Sequence, residues 1–224
     1  MDFTKGIEQP TNYEQKTICC FVLDVSGSMS GAPISELNRG LQEFHQEIKN
    51  TSVLANRLEV SVVEFCDQTN VLISPQLADQ FTMPTLIARG TTKMVDGIRK
   101  GIEIVDNRKK WYKQSGQPYL RPWIVFITDG EPDSDQDINH LANELRKGEQ
   151  DKKFVFLVVG VQGANMNILK QLAAPNLQPA MLDGLKFASF FKWMSASMQV
   201  IASSKEGDAV NLPQPADWMK GFTV

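Results

Sequence analysis

ICCFVLDVSGSMSGAP, residues 18–33, joins an apolar run of strand length to an acid and a cluster of hydroxyls. A core strand that ends in Asp24, Ser26 and Ser28 must deliver those groups to an edge, because unpaired polar groups are costly in an apolar interior. Alternation along DVSGS projects positions i, i+2 and i+4 to one side of an extended segment, and Gly27 permits the bend between them. Taken alone, the stretch reads as a polar turn with serines capping local amides, or as the beginning of a metal site.

The rest of the chain repeats the pattern of its opening strand. LEVSVVEF (58–65), PWIVFITD (122–129) and FVFLVVG (154–160) are further apolar runs, separated by segments of helical period at 34–50, 92–114, 137–148 and near 187–203. Leu37, Leu41, Phe44 and Ile48 fall on one face of the first helix, as packing against a sheet requires. Val71, Leu72 and Ile73 follow the second run after a short polar link and predict an antiparallel edge strand. QPAMLDG (178–184) supplies a last short strand. Strands alternating with helices predict an α/β fold: a doubly wound, mostly parallel central sheet with one antiparallel edge strand and helices on both faces. Residues 1–203 make the domain and 204–224 a Pro-containing extension. Leu212, Pro213, Pro215 and Trp218 of that extension either fold back onto the domain or serve as an extended partner motif.

The 224 residues are 42% hydrophobic and 22% charged, enough for a substantial core. A formal net charge of -3, with basic residues scattered, gives no footprint for nucleic acid. MDFTKGIEQPTNYEQ at the N-terminus has no apolar stretch of the kind a secretory signal needs, and no run approaches the length of a membrane span. Cys19, Cys20 and Cys66 cannot form a disulfide framework and read as small core residues, so a reducing cytoplasm is expected.

Two strands end in Asp and then turn, FVLDVSGS and VFITDGEPD. Parallel strands bring both ends to one edge, where ligands bind in open α/β sheets. The Gly90, Thr91, Thr92 turn opens a helix at the same edge. Carboxylates from Asp24 and Asp129 with hydroxyls from Ser26, Ser28 and Thr91 make an all-oxygen donor set, suited to Mg²⁺ or Mn²⁺ and unlike the His and Cys ligands of zinc. Ca²⁺ fits less well, since the set lacks the carboxylates of a calcium cage. His45 and His140 have no partner at ligand spacing and read as surface or half-buried.

DVSGS, Thr91 in RGTT and Asp129 in ITDG, in that order, resemble the metal-ion-dependent adhesion site of von Willebrand factor type A domains. Through SGAPISELNRGLQEF, LEVSVVEF, TDGEPDSD and LPQPADW, nearly the whole chain looks like the bacterial tellurium-resistance TerY-like subfamily. The resemblance implies that Ser26, Ser28 and Thr91 contact the metal directly or nearly so, with Asp24 and Asp129 often acting through water. It also implies a sixth position filled by an acidic residue of a protein partner, and a stress-response setting with kinase or phosphatase partners. Arg89 stands where related sequences often carry a second Gly, and either lies near the site or points to solvent. Asp133 and Asp135 read as caps of the following helix.

An enzyme at the same edge is the alternative. A metal-dependent hydrolase or phosphatase would use Asp24 as nucleophile, but the position two residues on, where a general acid would stand, is Ser26. There is no G-x-S-x-G elbow and no phosphate-binding G-x-x-x-x-G-K-[ST] loop. A non-catalytic, cation-dependent interaction module is the expectation.

Overall fold

The computed structural model describes residues 10, 12–174, 177–205, 208–215 and 218–220. Most of the N-terminal stretch read above, and Ala216 and Asp217 of LPQPADW, lie outside them.

Strands β1 (Thr17–Asp24), β2 (Leu58–Phe65), β3 (Thr69–Leu77), β4 (Trp123–Thr128), β5 (Val155–Gly160), β6 (Ala180–Leu182) and β7 (Met219–Lys220) form one sheet in the order β3-β2-β1-β4-β5-β6-β7. β1, β2, β4, β5 and β6 run parallel, and β3 pairs antiparallel with β2 as the sequence predicts. β3 is longer than the three apolar residues suggested, because it continues past irregular pairing near Val62 with half-exposed polar positions. A second antiparallel pair, β6 with β7, closes the opposite edge.

Helices α1 (Ala32–Asn50), α2 (Ser52–Arg57), α3 (Met94–Ser115), α4 (Ile138–Gln150), α5 (Met166–Leu172) and α6 (Phe187–Ser203) complete the fold. The alternation of β1 divides the core. Cys19, Phe21 and Leu23 face α1 and α6, while Cys20 and Val22 face α3 to α5. Two glycines set the helix distances. A Cβ on Gly101 of α3 would stand 2.6 Å from Val22 Cγ2, and one on Gly40 of α1 would stand 2.6 Å from Phe191 Cδ2, so neither helix approaches this closely with a larger residue. α2 and α5 are too short to leave a clear helical period in the sequence. Among the described residues no helix is long and apolar enough to cross a membrane.

The described part of the tail folds back. Trp218 is buried, with ring centroids 5.0 Å from Phe190 and 5.2 Å from Trp193. Trp193 Nε1 donates to the Pro213 carbonyl at 2.7 Å, and Asp183 N to the Trp218 carbonyl at 2.7 Å. The aromatic cluster gives β7 its place on β6.

β1 lies between β2 and β4, so the chain reverses its winding direction at β1 and β4, whose carboxyl ends are adjacent. Above that point runs an irregular segment, 78–93, held by one face of α1. Asn38 bonds both the carbonyl (2.9 Å) and the amide (2.7 Å) of Leu86, Gln42 reaches the Met83 carbonyl at 3.0 Å, and His45 Nε2 the Ala78 carbonyl at 2.8 Å. Residues 38, 42 and 45 share a face at helical spacing. His45 is therefore buried, stacked on Phe81 at 4.6 Å, and not the surface or half-buried residue expected.

Candidate metal centre

Each oxygen of the candidate set is placed by a strand end or by the segment that α1 holds. Asp24 closes β1 and is fully buried. One carboxylate oxygen accepts from the Ser26 amide at 2.8 Å and the other from the Thr128 hydroxyl, which itself accepts from the Gly130 amide at 3.1 Å. Ser26 precedes a 3-10 turn, Gly27–Met29, and its hydroxyl lies 3.0 Å from that of Ser28. Ser28 donates to Asp129 Oδ1 at 2.8 Å. With the Ser28 proton committed to a carboxylate, the lone pairs of its oxygen stay available to a cation. Two backbone bonds fix the facing segment, Arg89 N to the Val25 carbonyl at 2.7 Å and Gly27 N to the Gly90 carbonyl at 3.1 Å. Gly90 has φ 68°, and a Cβ there would meet Asp67 Oδ1 at 2.1 Å, so only glycine lets the segment pass so close.

The structure thus brings together Asp24, Ser26, Ser28 and Asp129. Thr91, the fifth expected residue, is directed elsewhere: it is exposed and its hydroxyl donates to Asp133 Oδ2 at 2.8 Å. Thr92 takes the inward position and is nearly buried. A Cβ placed on Gly130 would lie 3.6 Å from Asp24 Oδ2, 3.6 Å from Thr92 Oγ1 and 3.7 Å from Ser28 Oγ. Three oxygens from two chain segments, DVSGS and the threonine turn, therefore flank one methyl-sized space beside Gly130. A Thr-Thr pair leaves the choice open in the sequence. The phase of α3 was the available signal, because burial of Met94, Val95 and Ile98 sets the helix start and with it the orientation of Thr92.

Asp133 and Asp135 do not cap α4. Asp137 does, accepting from the His140 amide at 2.9 Å. Asp133 instead receives the Thr91 hydroxyl and the Thr92 amide, and Asp135 pairs with Lys93 at 2.7 Å. Gln136 adds bonds to the Thr92 carbonyl and the Val95 amide, both 2.6 Å. The threonine segment is thus clamped from the β4 side. Arg89 is neither free in solvent nor aimed at the carboxylates; its guanidinium pairs with Glu64 at the end of β2.

Burial pushes the Asp24 carboxyl up to about 6 against the bonds from Ser26 and Thr128, and burial also raises Asp129. The Thr91 hydroxyl, with the Thr92 amide and Lys93, holds Asp133 below its ordinary value. Two carboxylates short of positive charge, next to hydroxyls with available lone pairs, form a donor set that fits a hard divalent cation. Among the described residues no three His, Cys, Asp or Glu side chains converge, so such a cation would rely on the hydroxyls.

The von Willebrand factor type A domain model matches residues 19–188. Among solved structures, the pilus adhesin SpaC from Lactobacillus rhamnosus GG, in its open conformation, superposes with a TM-score of 0.67 at 15% identity, over 88% of this chain and 31% of that one. The vWF domain of the type V pili tip protein Mfa5 from Porphyromonas gingivalis gives 0.60 at 10%, over 87% of this chain and 99% of that one. The ArnB paralog VWA2 from Sulfolobus acidocaldarius gives 0.54 at 15%, over 83% and 45%. This chain spans about a third of the SpaC chain. No match was found among curated protein sequences. At these identities the superpositions establish the fold, while the match over residues 19–188 covers most of the chain, which therefore belongs to the von Willebrand factor type A domain family.

Proposed function

We propose that the chain is a non-catalytic, divalent-cation-dependent protein-interaction module. The observation that carries this reading is the convergence of Asp24, Ser28 and Thr92 oxygens around Gly130, with Ser26 and Asp129 hydrogen-bonded into the same group. These five residues would hold Mg²⁺ or Mn²⁺, which would supply a Lewis-acidic position for a carboxylate of a protein partner. Both Asp24 oxygens already accept hydrogen bonds, which suits contact through water and leaves direct ligation to the hydroxyls. The same burial argues against the phosphatase alternative, because a carboxylate with no exposed surface and both oxygens engaged is a poor nucleophile. Three buried free cysteines suit a reducing cytoplasm. A role as adaptor in a bacterial tellurite or chemical-stress response, with a kinase or phosphatase partner, rests on the resemblance to TerY-like proteins.

Calorimetric titration with Mg²⁺ distinguishes the two threonines. Thr92→Ala lowers affinity by about tenfold or more, the loss expected when a ligand or its immediate support is removed. Thr91→Ala has a smaller effect, transmitted through Asp133. The reverse ranking would return Thr91 to the site. A second measurement addresses the partner: immobilised protein captures an acidic partner from bacterial lysate in Mg²⁺, and EDTA releases it. Capture that is indifferent to EDTA and to Asp24→Asn would defeat the proposal.

A further inference from the structure

A cleft of about 1010 Å³ lies at the edge of the sheet opposite the carboxylates. Its floor is formed at the amino ends of β4 and β5, by Leu120, Pro122, Trp123 and Val155, and its walls by the C-terminal ends of α3, α4 and α6. The returning tail adds apolar surface through Val210 and Leu212. Among the described residues that line it, five cations, Lys109, Lys113, Arg121, Lys152 and Lys205, stand against two carboxylates, Asp151 and Asp208. The chain as a whole carries a formal charge of -3, so positive charge is concentrated here.

Helix C-termini favour cations, which accounts for some of this pattern but not for the two lysines without a counter-charge. Among the described residues neither Lys113 nor Lys152 has a carboxylate within ion-pair distance, and Lys109, only 15% exposed, has its nearest in Asp106 at 3.9 Å. Burial lowers the Lys109 ammonium, and Lys113, Lys153 and Arg121 act on it in the same sense. Arg121 is turned inward, to Glu149 and the Phe154 carbonyl, and its Nε is buried without a hydrogen-bond partner among the described residues. Lys152 also occupies a left-handed backbone position, φ 52°, which glycine adopts without strain. A lysine is present there at a conformational cost.

We infer that this cleft binds an acidic, extended peptide segment of a protein partner, with apolar side chains between its carboxylates. The cationic rim complements the carboxylates and steers their approach, while the apolar floor accepts the intervening side chains. A cleft of this size is at the upper limit for a small ligand and suits a chain segment. Single-stranded nucleic acid is disfavoured because stacking needs accessible ring faces, whereas Trp123 is buried and Tyr119 is already stacked on Tyr112 at 5.1 Å. With the metal edge at the other end of the strands, the domain would hold two partners at once. The cleft does not depend on the metal reading.

The test uses the full chain in EDTA, which keeps the metal edge out of play, and a fluorescein-labelled synthetic peptide of alternating Glu with Leu and Phe, read by anisotropy. Saturable binding that weakens as NaCl rises is expected, with a loss of about tenfold in Lys113→Gln/Lys152→Gly. Lys152→Gly alone also weakens binding while leaving Tm equal to or above that of wild type, which separates lost recognition from lost folding. Asp24→Asn binds the peptide as wild type does. Undiminished binding by the double variant overturns the inference. So does equal affinity for a Gln-for-Glu peptide, loss of binding in Asp24→Asn, or tighter binding of a single-stranded oligonucleotide.

Discussion

Asp24→Asn makes the metal-free protein more stable at pH 7, by about 3 kcal/mol. The carboxyl is raised by burial from 3.8 to about 6, and each pKa unit corresponds to about 1.36 kcal/mol. The sign follows from proton binding. Between pH 4 and 6 the folded state holds a proton that the unfolded state has released, so wild-type stability falls as pH rises through that window and is level above it. Raised Asp129 adds a contribution of the same sign. Asparagine mimics the protonated form, keeps an acceptor for the Ser26 amide and loses this slope. Denaturant titrations in EDTA at pH 4 and pH 7 measure it: the two proteins should nearly coincide at pH 4 and separate at pH 7. Added Mg²⁺ then raises wild-type stability, following RT ln(1 + [L]/Kd), and leaves the variant unmoved. A variant destabilised at pH 7 would show that Asp24 supports the fold as an ionised acceptor, not as a charge awaiting a cation.

Glu59→Ala costs about 3–5 kcal/mol, the penalty for stranding a buried charge. Glu59, at the amino end of β2, is 3% exposed. It accepts from Arg108 Nε at 2.6 Å and Nη2 at 2.5 Å, and from the Tyr112 hydroxyl at 2.7 Å. Tyr112 is itself buried, so truncating the acid leaves three donor groups without this acceptor. Glu59→Gln retains one oxygen and costs less. A denaturation midpoint that falls with an unchanged m-value, and Mg²⁺ affinity equal to that of wild type, are the expected results. Coincident curves for Glu59→Ala and wild type would mean that Arg108, stacked 3.8 Å over Trp111, finds other partners.

The strands at 18–24, 122–129 and 154–160 were legible because their residues are almost continuously apolar, as burial on both faces favours, whereas 58–65 was legible from Leu58, Val60, Val62, Val63 and Phe65 even though Glu59, Ser61 and Glu64 interrupt the run. Four of the five expected residues converge because Asp24 closes β1 and Asp129 follows the end of the neighbouring β4; Ser28 arrives by the 3-10 turn Gly27–Met29, not by the extended alternation that the sequence suggests. That Thr92 and not Thr91 faces the carboxylates was not legible, because the choice between adjacent threonines depends on where a helix begins, which sequence periodicity fixes only to within a few residues. β7 is two residues long and exists because Trp218 is buried, a tertiary cause with no local signature. The Glu59, Arg108, Tyr112 network was equally hidden, since pairing across 49 and 53 positions leaves no trace in either segment.

The hold of α1 on residues 78–93 has an evolutionary side. Asn38, Gln42 and His45 bond to main-chain atoms of Ala78, Met83 and Leu86, and all of these except the Leu86 amide, which proline would lack, are common to every residue type. These bonds hold the path of the segment, while Ala78, Met83 and Leu86 anchor it in the core and Phe81 stacks on His45, so its freedom lies at the exposed positions Asp79, Gln80, Thr82, Thr85 and Ile87. Ile87, 68% exposed beside the carboxylate edge, can be exchanged without disturbing that path. On the reading proposed above, the exposed side chains of this segment would form a replaceable lip on a fixed socket: they could change without altering the residues that would hold the cation.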